Sequence, residues 1–113
     1  MKTDELTGAA LDWAVAKCEG VINGDDLDIG FILERGYTPS TDWAQGGAII
    51  EREAIQLTPD EYTGTWSAYM TNEGEPYEGT GQTPLIAAMR CYVASKLGDD
   101  IEIPEELNQG EEK

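Results

Sequence analysis

Apolar residues recur at helical spacing near both ends of the chain and at strand-like spacing between them. The first helical stretch opens at Thr7, which suits a cap, with Leu6 and Leu11 placed as a hydrophobic staple. Leu11, Ala14, Val15 and Cys18 then form a core-facing stripe at i, i+3, i+4 and i+7, and Gly20 fits a left-handed stop. Trp13 falls off this stripe and is expected to pack against a neighbouring loop, because large aromatics usually bury. The last helical stretch is capped by Thr83, carries Pro84 in its first turn and ends before Gly98. Its stripe is Ile86, Met89, Val93 and Leu97, flanked by Cys91 and Tyr92, and this helix is expected at the centre of the core.

Between the helices, residues 23–28 read as an acidic turn and 29–33 as a short strand. Residues 48–54 match neither period cleanly and are taken as helix to about Glu53. Residues 55–58 and 65–70 are β-like runs joined by PDEYTG, whose Pro59, Asp60 and Gly64 favour a turn, so they predict a hairpin. The stretch TNEGEPYEGTG, residues 71–81, has no apolar period and reads as a long polar loop. The expected fold is α+β, with a small antiparallel sheet of about three strands packed against N-terminal and C-terminal helices. Residues 1–98 are expected to form a single domain and 99–113 an acidic, partly disordered tail. Double-stranded RNA-binding domains share this order of elements but need a basic surface.

This chain is the reverse: 23 acids against 7 bases give its 113 residues a formal net charge of -16. Such a field repels phosphate backbones and anionic lipid, so direct nucleic-acid or membrane binding is not expected. The opening MKTDELTG has no basic segment followed by an apolar core, and no apolar run approaches the roughly 20 residues that cross a bilayer, so a soluble intracellular protein is expected. Cys18 and Cys91 read as two reduced thiols, with a bridge between the helices as the second choice. The absence of histidine removes the commonest general base and metal ligand, and no cofactor motif is present, so no catalytic residue, metal or cofactor is expected.

One motif concentrates chemistry: PSTDWAQGG, beginning at Pro39. As a ligand loop it offers Ser40 and Thr41 hydroxyls, Trp43 as a stacking platform and Asp42 and Gln45 as hydrogen-bonding readers. The amides of Gly46 and Gly47 would cradle an anion at the start of the next helix, with Arg52 or Arg90 offsetting its charge. The same letters also describe structural punctuation: a capped turn, an anchoring tryptophan and a glycine reversal. Asp42 with Glu51, or Glu51 with Glu53, reads as a solvated acidic face before it reads as an acid–base pair. Asp25, Asp26 and Asp28 have calcium-like spacing without the closing glutamate of an EF-hand loop.

With ELTGAALDWAVAKCEG, STDWAQGGAIIERE, TPLIAAMRCYVASKLG and EIPEEL in view, the chain resembles the NinX-like proteins of tailed phages and enterobacterial prophages over nearly its whole length. In that family proline often follows the glycine pair, where this chain has Ala48, and the region over residues 25–34 varies. The resemblance implies a phage accessory protein in the bacterial host cytoplasm and implies no particular chemistry. The preferred reading is a non-enzymatic binder of a host small molecule, such as a nucleotide-derived defence signal, or of a host protein; a homo-oligomer is compatible with it. The alternative is an acidic nucleic-acid mimic that inhibits a host DNA-binding protein. An enzyme ranks last, because no nucleophile and base can be paired.

Overall fold

A computed structural model describes residues 2–20 and 36–103. The acidic turn with Asp25, Asp26 and Asp28, the strand expected at 29–33, and tail residues 104–113 lie outside the described residues. A 3-10 turn, Thr3–Glu5, leads into helix α1, Gly8–Glu19; helix α2 spans Trp43–Glu53; strands β1 (Gln56–Asp60), β2 (Thr65–Asn72) and β3 (Glu75–Gly81) follow, and helix α3, Pro84–Leu97, closes the order. The strands form one antiparallel sheet in the order β1-β2-β3. This is the α+β arrangement that the apolar pattern predicts.

Helix α3 lies between layers, packed on β2 and β3 and also against α1. Met89 and Val93 of the expected stripe are fully buried, whereas Ile86 and Leu97 are half-buried near its ends. Neighbours on more than one side also bury Leu85, Ala88, Cys91 and Tyr92, so burial wraps most of the helix rather than following a stripe. Helix α1 behaves similarly, with every residue from Ala10 to Ala16 buried. Trp13, 2% exposed, belongs to the core cluster itself. Cys18 and Cys91 are free cysteines, and burial pushes each thiol up to about 12, which holds both in the protonated, unreactive form at neutral pH.

The loop expected over 71–81 is not a loop. Strand β2 continues to Asn72, Glu73 and Gly74 turn the chain with positive φ, and β3 returns in register, pairing Gly79 with Ala68 and Gly81 with Trp66. The period-two pattern is present in disguise. Tyr77, Gly79 and Gly81 alternate with exposed Pro76, Glu78 and Thr80, and the glycines stand where an apolar side chain would normally mark the inner face. Glycine is required there because the backbone of α3 crosses directly on β3.

The termini of the described domain pair with one another. Lys2 forms a bridge with Asp100, the Thr3 amide donates to the Asp99 carbonyl (2.8 Å), and the Thr3 hydroxyl donates to the Gly98 carbonyl (2.6 Å). Ile101 and Ile103 pack against the core, so ordered contacts run past the end of α3.

Candidate functional site

The PSTDWAQGG motif forms a tight turn followed at once by a helix. The Thr38 carbonyl accepts from the amides of Thr41 and Asp42, and Asp42 caps α2 by accepting from the Ala44 amide (2.9 Å). Gln45 turns inward: its Oε1 accepts from the Thr38 amide (2.9 Å), and its Nε2 donates to the Gly36 carbonyl (3.0 Å) and to Asp42 Oδ2 (2.9 Å). The carboxylate and amide expected to read a ligand therefore hold the turn instead.

The glycines do not open the helix either. Gly46 and Gly47 lie inside α2, and the Gly46 amide donates to the Asp42 carbonyl (2.8 Å), so the anticipated anion cradle is replaced by helical hydrogen bonds. Gly46 serves packing: a Cβ there would lie 2.3 Å from the Pro39 carbonyl oxygen and 2.6 Å from Leu85 Cδ2. That closeness brings the start of α2 against the start of α3.

Where the two helix starts meet, a cleft of about 210 Å³ opens between Ser40, Thr41 and Trp43 on one side and Thr83, Pro84, Leu85 and Ile86 on the other. Trp43 is 54% exposed at its edge. The cleft is mainly apolar rather than the polar pocket the motif suggests, since Asp42 and Gln45 do not line it. Helix α3 brings a neutral cap to it, the Thr83 hydroxyl accepting from the Ile86 amide (3.1 Å), and has no acid in its first turn. The partial positive charge of that helix end is therefore left uncompensated within its own first turn, inside a strongly acidic protein. In the sequence, residues 83–86 read as a cap and a stripe, with the unpaired amides of this helix start expected close to Gly46 and Gly47; the two helix starts do meet, although nothing local marks these residues as cleft wall.

The two arginines serve elsewhere. Arg52 pairs with Glu19 through two hydrogen bonds (3.0 and 2.6 Å), with Glu53 Oε2 (2.8 Å) and with the Tyr92 hydroxyl (3.1 Å). The Tyr92 hydroxyl in turn donates to Glu19, whose carboxyl is lowered first by Arg52. This cluster ties α1, α2 and α3 together. Arg90 donates from Nε to the Leu6 carbonyl (2.8 Å) and from Nη1 to the Thr80 carbonyl (2.7 Å), joining the N-terminal segment to β3. Neither lines the Trp43 cleft.

The turn is anchored to α1 by a buried carboxylate: Asp12 Oδ1 accepts from the Ser40 amide (2.9 Å). Burial pushes the Asp12 carboxyl up, partly opposed by that amide and by the adjacent Ser40 hydroxyl, which lies near the carboxylate without an aligned hydrogen bond. The folded state thus holds the Asp12 proton more tightly than the unfolded chain does. The stability this adds is complete below the unfolded value of ~3.9 and is lost as pH rises through the higher folded value. Asp12→Asn keeps an oxygen for the Ser40 amide and removes the titration. In urea unfolding between about pH 4 and about pH 8, the native protein is expected to lose stability relative to this variant as pH rises. A difference that stays flat with pH would refute the assignment.

Among the described residues, no group of Cys, Asp and Glu is placed to hold a metal ion, and no helix is long and apolar enough to cross a membrane. A larger hollow, about 430 Å³, lies away from the motif and is lined by residues of mixed charge, including Lys2, Asp4, Glu78, Arg90 and Asp99. The family model described as Bacteriophage P22, NinX matches residues 2–96. No curated protein matches the chain.

Proposed function

The chain belongs to the Bacteriophage P22 NinX family, and from that premise we propose that it is a phage accessory protein acting as a non-enzymatic binder in the host cytoplasm. Its ligand is a host nucleotide-derived small molecule, and capturing it serves counter-defence. The observation that carries this reading is Trp43, left 54% exposed over a cleft formed by two helix starts. A tryptophan face stacks on nucleobases for roughly 1–3 kcal/mol, and the adjacent start of α3 favours a negative group. Asp42 and Gln45 contribute by making the turn rigid, so Trp43 is presented without an ordering cost at binding.

Thermal unfolding of the native protein and of Trp43→Ala, with nucleotides and with extract of infected cells, tests the reading. A ligand selective for the folded state at 100 times its Kd stabilises it by about 2.7 kcal/mol. The native protein is expected to gain stability and Trp43→Ala to gain none. A folded variant that keeps both the stabilisation and full activity in infection would remove the Trp43 site.

A second reading, the acidic mimic inhibiting a host DNA-binding protein, is favoured by the larger hollow, where Asp4, Glu5, Glu78 and Asp99 outnumber Lys2 and Arg90. Its partner would be basic, and its binding would weaken with salt because exposed charges are screened over roughly 8 Å at physiological ionic strength. Salt-insensitive association with a basic partner would exclude it.

A further inference from the structure

Ile86 lines a second recess as well as the Trp43 cleft. This recess holds about 420 Å³, and its wall mixes apolar surface with hydroxyls, an amide and two charged groups, Asp60 and Arg90. Thr65 and Ser67 of β2 and Thr80 of β3 enter it from the sheet, Asp60 enters from the end of β1, and Gln82 from the connection to α3. Strand register creates the cluster: Ser67 pairs with Thr80, and Thr65 with Asp60, on the face alternate to the one where Ala68 and Gly79 meet α3. Gln82 is followed directly by Thr83 and Pro84, which wall the Trp43 cleft, so the two hollows adjoin along the start of α3.

We infer that cleft and recess form one bipartite site for a nucleoside, with the base against Trp43 and the sugar in the hydroxyl-lined recess. This rests on the reading of the Trp43 cleft above and adds the class of group attached to the aromatic ring. A sugar presents neighbouring hydroxyls that donate and accept together. Threonine and serine hydroxyls do the same, a glutamine amide offers one acceptor and two donors, and a carboxylate accepts from a diol. Asp60 already uses Oδ1 to accept from the Tyr62 amide (2.9 Å), which fixes its orientation. The hydroxyls of Thr63 and Thr65 bond to each other (2.6 Å), which fixes theirs. A phosphate placed in this recess would face the Asp60 carboxylate, while Arg90 on the same wall already donates to the Leu6 and Thr80 carbonyls; a neutral sugar does not meet that repulsion.

The test is a nuclear magnetic resonance titration of the full chain with the four ribonucleosides, their free bases and their 2′,3′-dideoxy forms. It is repeated on Trp43→Ala, Ser67→Ala and Thr80→Val. At least one ribonucleoside is expected to bind about tenfold more tightly than its base and its dideoxy form, the scale of one to two hydrogen bonds. Thr80→Val and Ser67→Ala should reduce that preference, while Trp43→Ala weakens nucleoside and base alike. If nucleoside, base and dideoxy form bind equally and all need Trp43, the bipartite site is wrong and the Trp43 reading stands. If nothing in the panel binds, the bipartite site is wrong, and the Trp43 reading stands only if the nucleoside monophosphates, titrated alongside, shift Trp43; if binding ignores Trp43, both fall.

Discussion

Trp13→Ala is expected to lower the unfolding free energy by about 3–5 kcal/mol, the cost of removing a large buried aromatic and leaving a cavity. Trp13 is 2% exposed, sits among Leu11, Val15, Met89 and Val93 in one core cluster, and carries the Lys17 ammonium over its ring at 5.4 Å. Domains of this size hold a net stability of roughly 5–15 kcal/mol, so the loss takes much of what is available. Its indole nitrogen has no hydrogen-bond partner, which means that the side chain stabilises by packing and not by its polar edge. Trp13→Phe removes that unpaired donor and most of the cavity, and should cost far less. Urea unfolding of both variants checks this. Equal losses for Ala and Phe would show that the indole is held by an interaction other than packing.

Gly79→Ala is the second large effect, although it adds only a methyl group. A Cβ at Gly79 would lie 2.6 Å from the Ala87 carbonyl oxygen and 2.6 Å from the Cys91 amide nitrogen, both backbone atoms of α3. No rotamer change relieves a clash with backbone, so α3 must lift from β3 where the two pack most closely. Overpacking of this kind costs typically about 1–3 kcal/mol, and this site should fall at or above the top of that range. The lift would also disturb Arg90, whose hydrogen bond to the Thr80 carbonyl pins the end of β3. A variant that unfolds within a few tenths of a kcal/mol of the native protein would contradict the close crossing.

Those two positions show where the amino-acid pattern is informative and where it is not. Leu11, Val15, Met89 and Val93 announce the helices by spacing, and the turn formers Asp60 and Gly64 announce the first hairpin. Strand β3 stays hidden because Gly79 and Gly81 replace the apolar members of its alternation, a choice that makes sense only once α3 is known to cross there. Trp13 is expected to bury, but its place in the core cluster is hidden for a related reason: a stripe on one face assumes one neighbouring layer and sends Trp13 to a loop, whereas α1 is covered more widely.

At the motif, the start of α2 was readable. Asp42 followed three positions later by Gln45 is the spacing of a capping box, and it competes with the reading in which the glycines begin the helix. The exposure of Trp43 among short polar residues was also readable, and the structure brings Ser40, Thr41 and Trp43 to one cleft. The opposite wall was readable only as the start of the last helix lying close to Gly46 and Gly47; that Thr83, Pro84, Leu85 and Ile86 form it is decided by tertiary packing on Gly46. Nor could sequence assign Arg52 and Arg90, whose partners lie as far away along the chain as Glu19 and Leu6.

The central claim is that ligand is taken at Trp43. The most direct test follows the indole N–H resonances of the three tryptophans while ribonucleosides and ribonucleotides are added. Trp43→Phe identifies the exposed one by its loss; Trp13 is enclosed and Trp66 is half-buried. The account predicts a saturable shift of the Trp43 resonance with the Trp13 resonance unmoved. Binding that stabilises the protein while leaving the Trp43 resonance in place would contradict it.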